Sequence, residues 1–175
     1  MRRLMLLRHA KSDRSAPGAP DRERALEARG KETAPKIGAY MAKHGLVPDQ
    51  ALCSTARRTH DTWTLVASAF SNAPPVTFEE RVYDATADTI LDIVREIDDT
   101  ARSLLVVGHN PGLHDLAGML IASGDVEARE RLREKFPTAG LAVIDFAYDN
   151  WRKLHKRAGR LDRFVTPRSL GGAID

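Results

Sequence analysis

The sequence predicts an α/β fold: a three-layer α/β/α sandwich with a mostly parallel central sheet and an antiparallel edge strand. Three observations lead there. Continuous apolar runs at residues 4–7 and 104–107 are too short for helices and too uniform for half-exposed strands, so they read as strands covered on both faces. Stretches with apolar residues at helical spacing alternate with such runs, the pattern of a parallel sheet with crossover helices. Both runs end in histidine, at His9 and His109, and ligands of open α/β sheets bind beyond the carboxyl ends of strands.

The 175 residues suit one domain, residues 1–175. Hydrophobic residues make up 42% and charged residues 29%, so a core and a solvated surface can both be built. No apolar run approaches the length of a membrane span. The two arginines near the start precede only Leu4, Met5, Leu6 and Leu7, too few apolar residues for a secretory signal, which predicts a cytoplasmic protein. The single cysteine, Cys53, allows no internal disulfide and reads as a buried thiol. The net charge of +3 favours anionic partners. Bases alternate with acids and no aromatic-rich basic stripe occurs, so nucleic acid is not expected among them.

Taken in order, the first strand spans about residues 3–8, and a Pro/Gly-containing loop follows over residues 13–22. A helix is predicted over residues 26–44, with Ala34, Ile37 and Met41 on its buried face and Gly45 as its stop; Pro35 either kinks it or marks a restart. Ala51, Leu52 and Cys53 read as a strand. The next helix starts after Ser54 or Thr55 as N-cap and buries Trp63, Val66, Ala67 and Phe70. Arg57 then lies in its first turn, where backbone N–H groups favour an anion. A strand at residues 76–78 leads to Glu79 and Glu80, and a helix covers residues 87–97. After the 104–107 strand, Asn110 is predicted to cap a helix that starts at Pro111 and buries Leu113, Leu116, Ala117 and Leu120. Residues 125–135 read as a charged surface helix with Val126, Leu132 and Phe136 as apolar contacts. Residues 141–146 form a strand, residues 151–156 return as the antiparallel edge strand, and the tail with Pro167, Gly171 and Gly172 is irregular.

Several motifs in fixed order point further. Leu7-Arg8-His9-Ala10-Lys11-Ser12, Arg24-x-Leu26-x-x-x-Gly30, Ser54-x-Ala56-x-Arg58-Thr59, Val107-Gly108-His109-Asn110-Pro111 and Phe136-Pro137-Thr138 together resemble the histidine phosphatase superfamily, with its phosphoglycerate-mutase-like fold. Among its members they are most similar to the SixA-like phosphohistidine phosphatases. The resemblance implies a phosphatase that works through a phosphohistidine intermediate, with His9 as nucleophile and Arg8, Arg57 and His109 around the same phosphoryl group. It also implies a phosphorylated protein, or a small phosphorylated molecule, as the partner. In the wider superfamily a glutamate protonates the leaving group, and Glu80 is the matching candidate, with Glu79 second. Lys11, Ser12 and Asn110 are candidates for phosphate or substrate contact.

Elementary chemistry agrees with that assignment. A phosphoryl group spreads charge over three oxygens, and arginine's planar fork fits two of them at once. His9 must attack as neutral imidazole, and neighbouring cations lower its pKa. His109 in the same field is expected to stay protonated only when a phosphoryl dianion compensates. An imidazole leaving group is less basic than an alkoxide, so a phosphohistidine substrate needs less help from an acid. His109 and His114 do not have the H-E-x-x-H spacing, so neither a catalytic metal nor a cofactor is expected. Two other readings compete. One is a small-molecule phosphomonoesterase or mutase of the same superfamily, which would want a closed pocket. The other is a non-catalytic phosphate-binding module.

Overall fold

The computed structural model describes residues 1–15 and 17–171. Its elements run β1 (Arg2–Arg8), α1 (Ala28–Lys43), β2 (Gln50–Cys53), α2 (Arg57–Ala67), β3 (Val76–Phe78), α3 (Ala87–Arg95), β4 (Ser103–Gly108), α4 (Gly112–Leu120), β5 (Ile121–Gly124), α5 (Val126–Glu134), β6 (Leu141–Phe146), β7 (Gly159–Val165) and α6 (Pro167–Gly171). Short 3-10 turns lie at Asp21–Glu23, Glu80–Val82 and Trp151–Lys153.

The strands form one sheet in the order β3-β2-β4-β1-β6-β7-β5. β1 is central and pairs parallel with β4 on one side and antiparallel with β6 on the other. The alternation of its side chains explains why its apolar run is continuous. Leu4 and Leu6 enter a core with α3, α4 and α5, whereas Met5 and Leu7 enter a second core with α1 and α2. Helices therefore cover both faces, and the α/β/α sandwich with a mostly parallel sheet is as the sequence predicts.

The antiparallel strand differs from expectation. Residues 151–156 do not form an edge strand; Trp151–Lys153 is a 3-10 turn, with the Trp151 ring fully buried and its indole N–H donating to the Ala101 carbonyl at 2.8 Å. The strand that runs against its neighbours is β6, inside the sheet between β1 and β7. The edge beyond β7 belongs to β5, a short strand parallel to β7 that carries no apolar run to announce it, and β3 holds the opposite edge. Val126 is exposed rather than a core contact, while Leu132 and Phe136 are buried. Residues 167–171 form a short helix rather than irregular chain, and Gly172 lies outside the described residues.

α1 runs through Pro35 without a restart, and Gly45 follows its end at φ +69°. Its first turn clamps the segment that leaves β1. Glu27 N–H donates to the Lys11 carbonyl at 3.0 Å, and a Cβ on Gly30 would lie 2.2 Å from that same oxygen. A glycine is needed there for the backbones to approach. This contact fixes the chain just after His9.

Candidate active site

β1 and β4 end side by side, with Arg8 in register with Gly108 and His9 N–H donating to the Gly108 carbonyl at 3.1 Å. The helices that follow them, α1 and α4, leave to opposite faces of the sheet, so the two strand ends open into a crevice. His9 and His109 stand in it with ring centroids 5.4 Å apart and planes at 54°. Both are buried.

The ring of His9 is held in one tautomer. Its Nδ1 lies 2.8 Å from the Ala10 carbonyl, which can only accept, so Nδ1 carries the proton and Nε2 keeps the lone pair. His109 is oriented by Ser54 at the end of β2, whose Oγ lies 2.7 Å from Nε2. Ser54 is fully buried, and this ring is its strong side-chain partner. Ser54→Ala is expected to lower kcat about tenfold with little change in KM, because the ring loses the bond that aims it. Steady-state kinetics on the variant check this; an unchanged kcat would remove Ser54 from the site.

Arg8 is half-buried, with Nη1 donating to the Phe136 carbonyl at 3.1 Å. The second arginine at the histidines is Arg58, not Arg57. Arg57 is 56% exposed and pairs with Asp61 at 3.5 Å, outward and one helical turn on. Arg58 is 7% exposed and donates to the Asp21 carbonyl at 2.8 Å and to the Asp21 carboxylate at 3.1 Å. Its charge acts on both histidines. The difference is helical phase, since successive residues point about 100° apart. The inward face of α2 begins with Arg58, Thr59 and Thr62, and Thr62 Oγ1 accepts from Ala10 N–H at 2.9 Å. The predicted serine or threonine cap is also absent; Ala56 holds that position without a side-chain bond.

Burial and charge set the protonation of the rings. Burial first, then His109, Arg58 and Arg8, pushes His9 down to about 3. Burial, then Arg58, pushes His109 down to about 4, with Asp21 opposing. Both are neutral at neutral pH. The unfolded chain, with histidines near 6.5, therefore takes up protons below that pH that the native protein refuses. Stability is complete above about pH 6.5 and falls as the pH drops toward 4, before carboxylates begin to contribute near pH 4. Denaturant midpoints measured across this window are expected to fall in wild type and to flatten in His9→Asn/His109→Asn.

Four buried polar atoms around the crevice have no partner among the described residues: Arg8 Nε, Arg58 Nε, His109 Nδ1 and Asn110 Oδ1. Buried donors left unpaired are costly, and two guanidinium N–H groups beside two neutral rings suit an oxyanion. Asn110 does not cap α4. Its Nδ2 donates to the Phe136 carbonyl at 2.9 Å, and Pro111 precedes the helix without a side-chain bond.

The other predicted residues lie farther out. Lys11 is half-exposed, 3.9 Å from Glu27, and lines a cavity of about 350 Å³ that also contains His9 and Arg8. Ser12 lines it as well, with Oγ accepting from Arg24 at 2.7 Å. Glu80 is 62% exposed and bound by both Arg22 and the Thr55 hydroxyl. No contact joins it to either histidine among the described residues. Glu79 is tied to Arg81. Residues that sequence reading passed over complete the wall. Tyr83 packs edge-on to His109, and its hydroxyl donates to the Asp21 carboxylate. Hydrogen bonds from Tyr83 and then Arg58 hold that carboxyl well below its usual range. Among the described residues no group of three His, Cys, Asp or Glu is arranged to hold a metal ion.

The model of the histidine phosphatase superfamily (branch 1) matches residues 4–86, which include both His9 and Arg58. The structure assigned to phosphohistidine phosphatase SixA of Agrobacterium tumefaciens is 31% identical, with a TM-score of 0.80 over 95% of this chain and 98% of that one. The chain belongs to the histidine phosphatase superfamily. It is a SixA-like phosphatase. The structure assigned to SixA of Nakamurella multipartitia is similar too, with 27% identity and a TM-score of 0.82 over 95% of this chain and 96% of that one. An uncharacterized protein of Mycobacterium tuberculosis is 35% identical across 93% of this chain and 100% of its own length.

Proposed function

We propose that this phosphatase removes phosphoryl groups from histidine in proteins by way of its own phosphorylated His9. The observation that carries the reading is that Arg8 and Arg58, each with an unpartnered buried Nε–H, both act on the His9 ring, whose Nδ1 is taken up by the Ala10 carbonyl. In the first step the Nε2 lone pair forms a bond to phosphorus while the bond from phosphorus to the substrate's ring nitrogen breaks. Arg8, Arg58 and the His109 ring hold the three oxygens through that exchange. In the second step water attacks phosphorus, the bond to His9 breaks and inorganic phosphate departs. The phosphoryl dianion favours protonation of His109, whose charge follows ligand binding.

The leaving group decides between substrates. Both oxygens of Glu80 are occupied as acceptors by Arg22 and Thr55, so it presents no O–H toward the histidines. A serine or sugar alkoxide needs such a proton donor; a departing imidazole needs it far less. Two of the solved relatives carry the assignment phosphohistidine phosphatase SixA, in keeping with this choice. The buried free thiol of Cys53 is compatible with a reducing cytoplasm.

A panel of a phosphohistidine peptide, a phosphoserine peptide and a sugar phosphate tests the substrate class. The expected result is a kcat/KM for phosphohistidine at least about tenfold above the two esters, reflecting the missing acid. Faster hydrolysis of the sugar phosphate would move the protein to the small-molecule phosphomonoesterases.

A further inference from the structure

Beside the cavity that holds His9 lies a larger groove of about 890 Å³. The two are continuous, because Lys11, Lys135, Pro137 and Thr138 line both. Its charge is one-sided. Arg29 on α1, Arg131 on α5, Lys135 and Lys11 face it, against Glu134 as the one carboxylate among its lining residues. Arg29 and Lys135 have no acidic partner among the described residues, and Lys11 is only loosely paired, at 3.9 Å from Glu27. The Arg131 guanidinium instead lies over the Phe164 ring, 5.5 Å from its centre, and donates to the Phe164 carbonyl at 3.3 Å. Some arginines elsewhere are matched to carboxylates, as Arg81 is with Glu79 and Glu96 and Arg3 with Asp145. Unpaired Arg29 and Lys135, with Lys11 and Arg131 beside them, give the trough an excess of positive charge that suits a partner bringing negative charge.

We propose that this groove docks an acidic stretch of the substrate polypeptide next to its phosphohistidine. The inference rests on the phosphohistidine reading above and extends it to the flanking sequence. The cations are spread along the groove instead of meeting at a point, which suits an extended chain with successive Asp or Glu residues better than a compact second phosphate. Single-stranded nucleic acid would also bring negative charge, but it is bound on exposed aromatic faces. The aromatic ring lining this groove, Phe164, is 5% exposed and covered by Arg131.

The test compares two phosphohistidine peptides that differ only in a flanking run of Glu or Gln, with p-nitrophenyl phosphate as a substrate that leaves the groove untouched. In wild type the Glu peptide is expected to show a kcat/KM about tenfold higher at low salt, an advantage that fades at high salt. In Arg29→Glu/Arg131→Glu the advantage disappears, while hydrolysis of the Gln peptide and of p-nitrophenyl phosphate is unchanged. Arg29→Glu alone, at an exposed residue whose loss breaks no contact, gives a partial effect and guards against misfolding of the double variant. Equal rates for the two peptides in wild type, or an advantage that survives the double variant, would overturn the proposal. Should neither peptide be a substrate while p-nitrophenyl phosphate is, the phosphohistidine reading fails by itself. The groove is then judged by fluorescence anisotropy of a labelled, unphosphorylated oligo-Glu peptide. Salt-sensitive binding lost in the double variant supports the groove, and absence of binding or displacement by an oligonucleotide alone rejects it.

Discussion

His9→Ala is expected to reduce phosphatase turnover by roughly 10⁴-fold or more and to abolish the phosphoenzyme. The expectation follows from the geometry of one ring. Nδ1 is committed to the Ala10 carbonyl, so the lone pair on Nε2 is the only electron pair the ring can offer. With a pKa pushed down to about 3, chiefly by burial, that pair is free at neutral pH. Incubation with a labelled phosphodonor should give an acid-labile, base-stable adduct in wild type and none in the variant. Removal of one buried neutral ring costs about 1–3 kcal/mol of stability, so circular dichroism should still report a folded protein. Wild-type turnover in His9→Ala would exclude covalent catalysis, and an adduct that persists would place the nucleophile elsewhere.

Arg58→Ala and Arg57→Ala are expected to part by two orders of magnitude. Loss of Arg58 should cost about 10²–10³ in kcat, the usual effect of removing one preorganised donor from a transition state. Loss of Arg57 removes an exposed ion pair with Asp61 and should leave kcat within about threefold. Arg58 also anchors the Asp21 turn, so its replacement should release Tyr83 and Arg24 from that carboxylate. Arg58→Lys separates the two roles. It retains a charge and a single donor, but not the fork, and should recover stability more fully than rate. Kinetics and thermal melts on the three variants check this. Comparable losses from Arg57→Ala and Arg58→Ala would mean that the exposed side chain swings inward when substrate binds.

Most of the fold could be read from the chain because its central strands are buried on both faces. Residues 4–7 and 104–107 leave no alternative to a strand in a covered sheet, and the histidines after them mark the working end. β5 and β7 were harder. Ile121–Gly124 has a single buried apolar residue, and β7 carries Arg160, Asp162 and Arg163 among its apolar positions, so both look like surface chain. The charged stretch at residues 151–156 looked more like an edge strand than β7 did, although Trp151 is buried there in a single turn. In the site, Arg8, His9 and His109 follow directly from their strands. The sequence points to Arg57 rather than Arg58 through motif likeness and through its place in the first turn of a helix. Helical phase would have separated them, since counting back from the core residue Val66 puts Arg57 about 180° away and Arg58 about 80° away. Asp21 and Tyr83 carry no local pattern, and the motif that contains Ser54 does not announce its bond to His109; these roles arise only when distant segments meet.

The position of β1 has a consequence for how the protein comes into being. The strand that bears the nucleophile is flanked by partners far along the chain: Leu4 lies against Leu104 and Ile144. During synthesis it must wait for both neighbours to leave the ribosome, with Leu4 to Leu7 uncovered in the meantime. Such non-local pairing slows folding and exposes a sticky segment to other chains. Activity is thus a late product of the nascent chain, and a ribosome stalled before β6 would carry a complete His9 motif and no working enzyme.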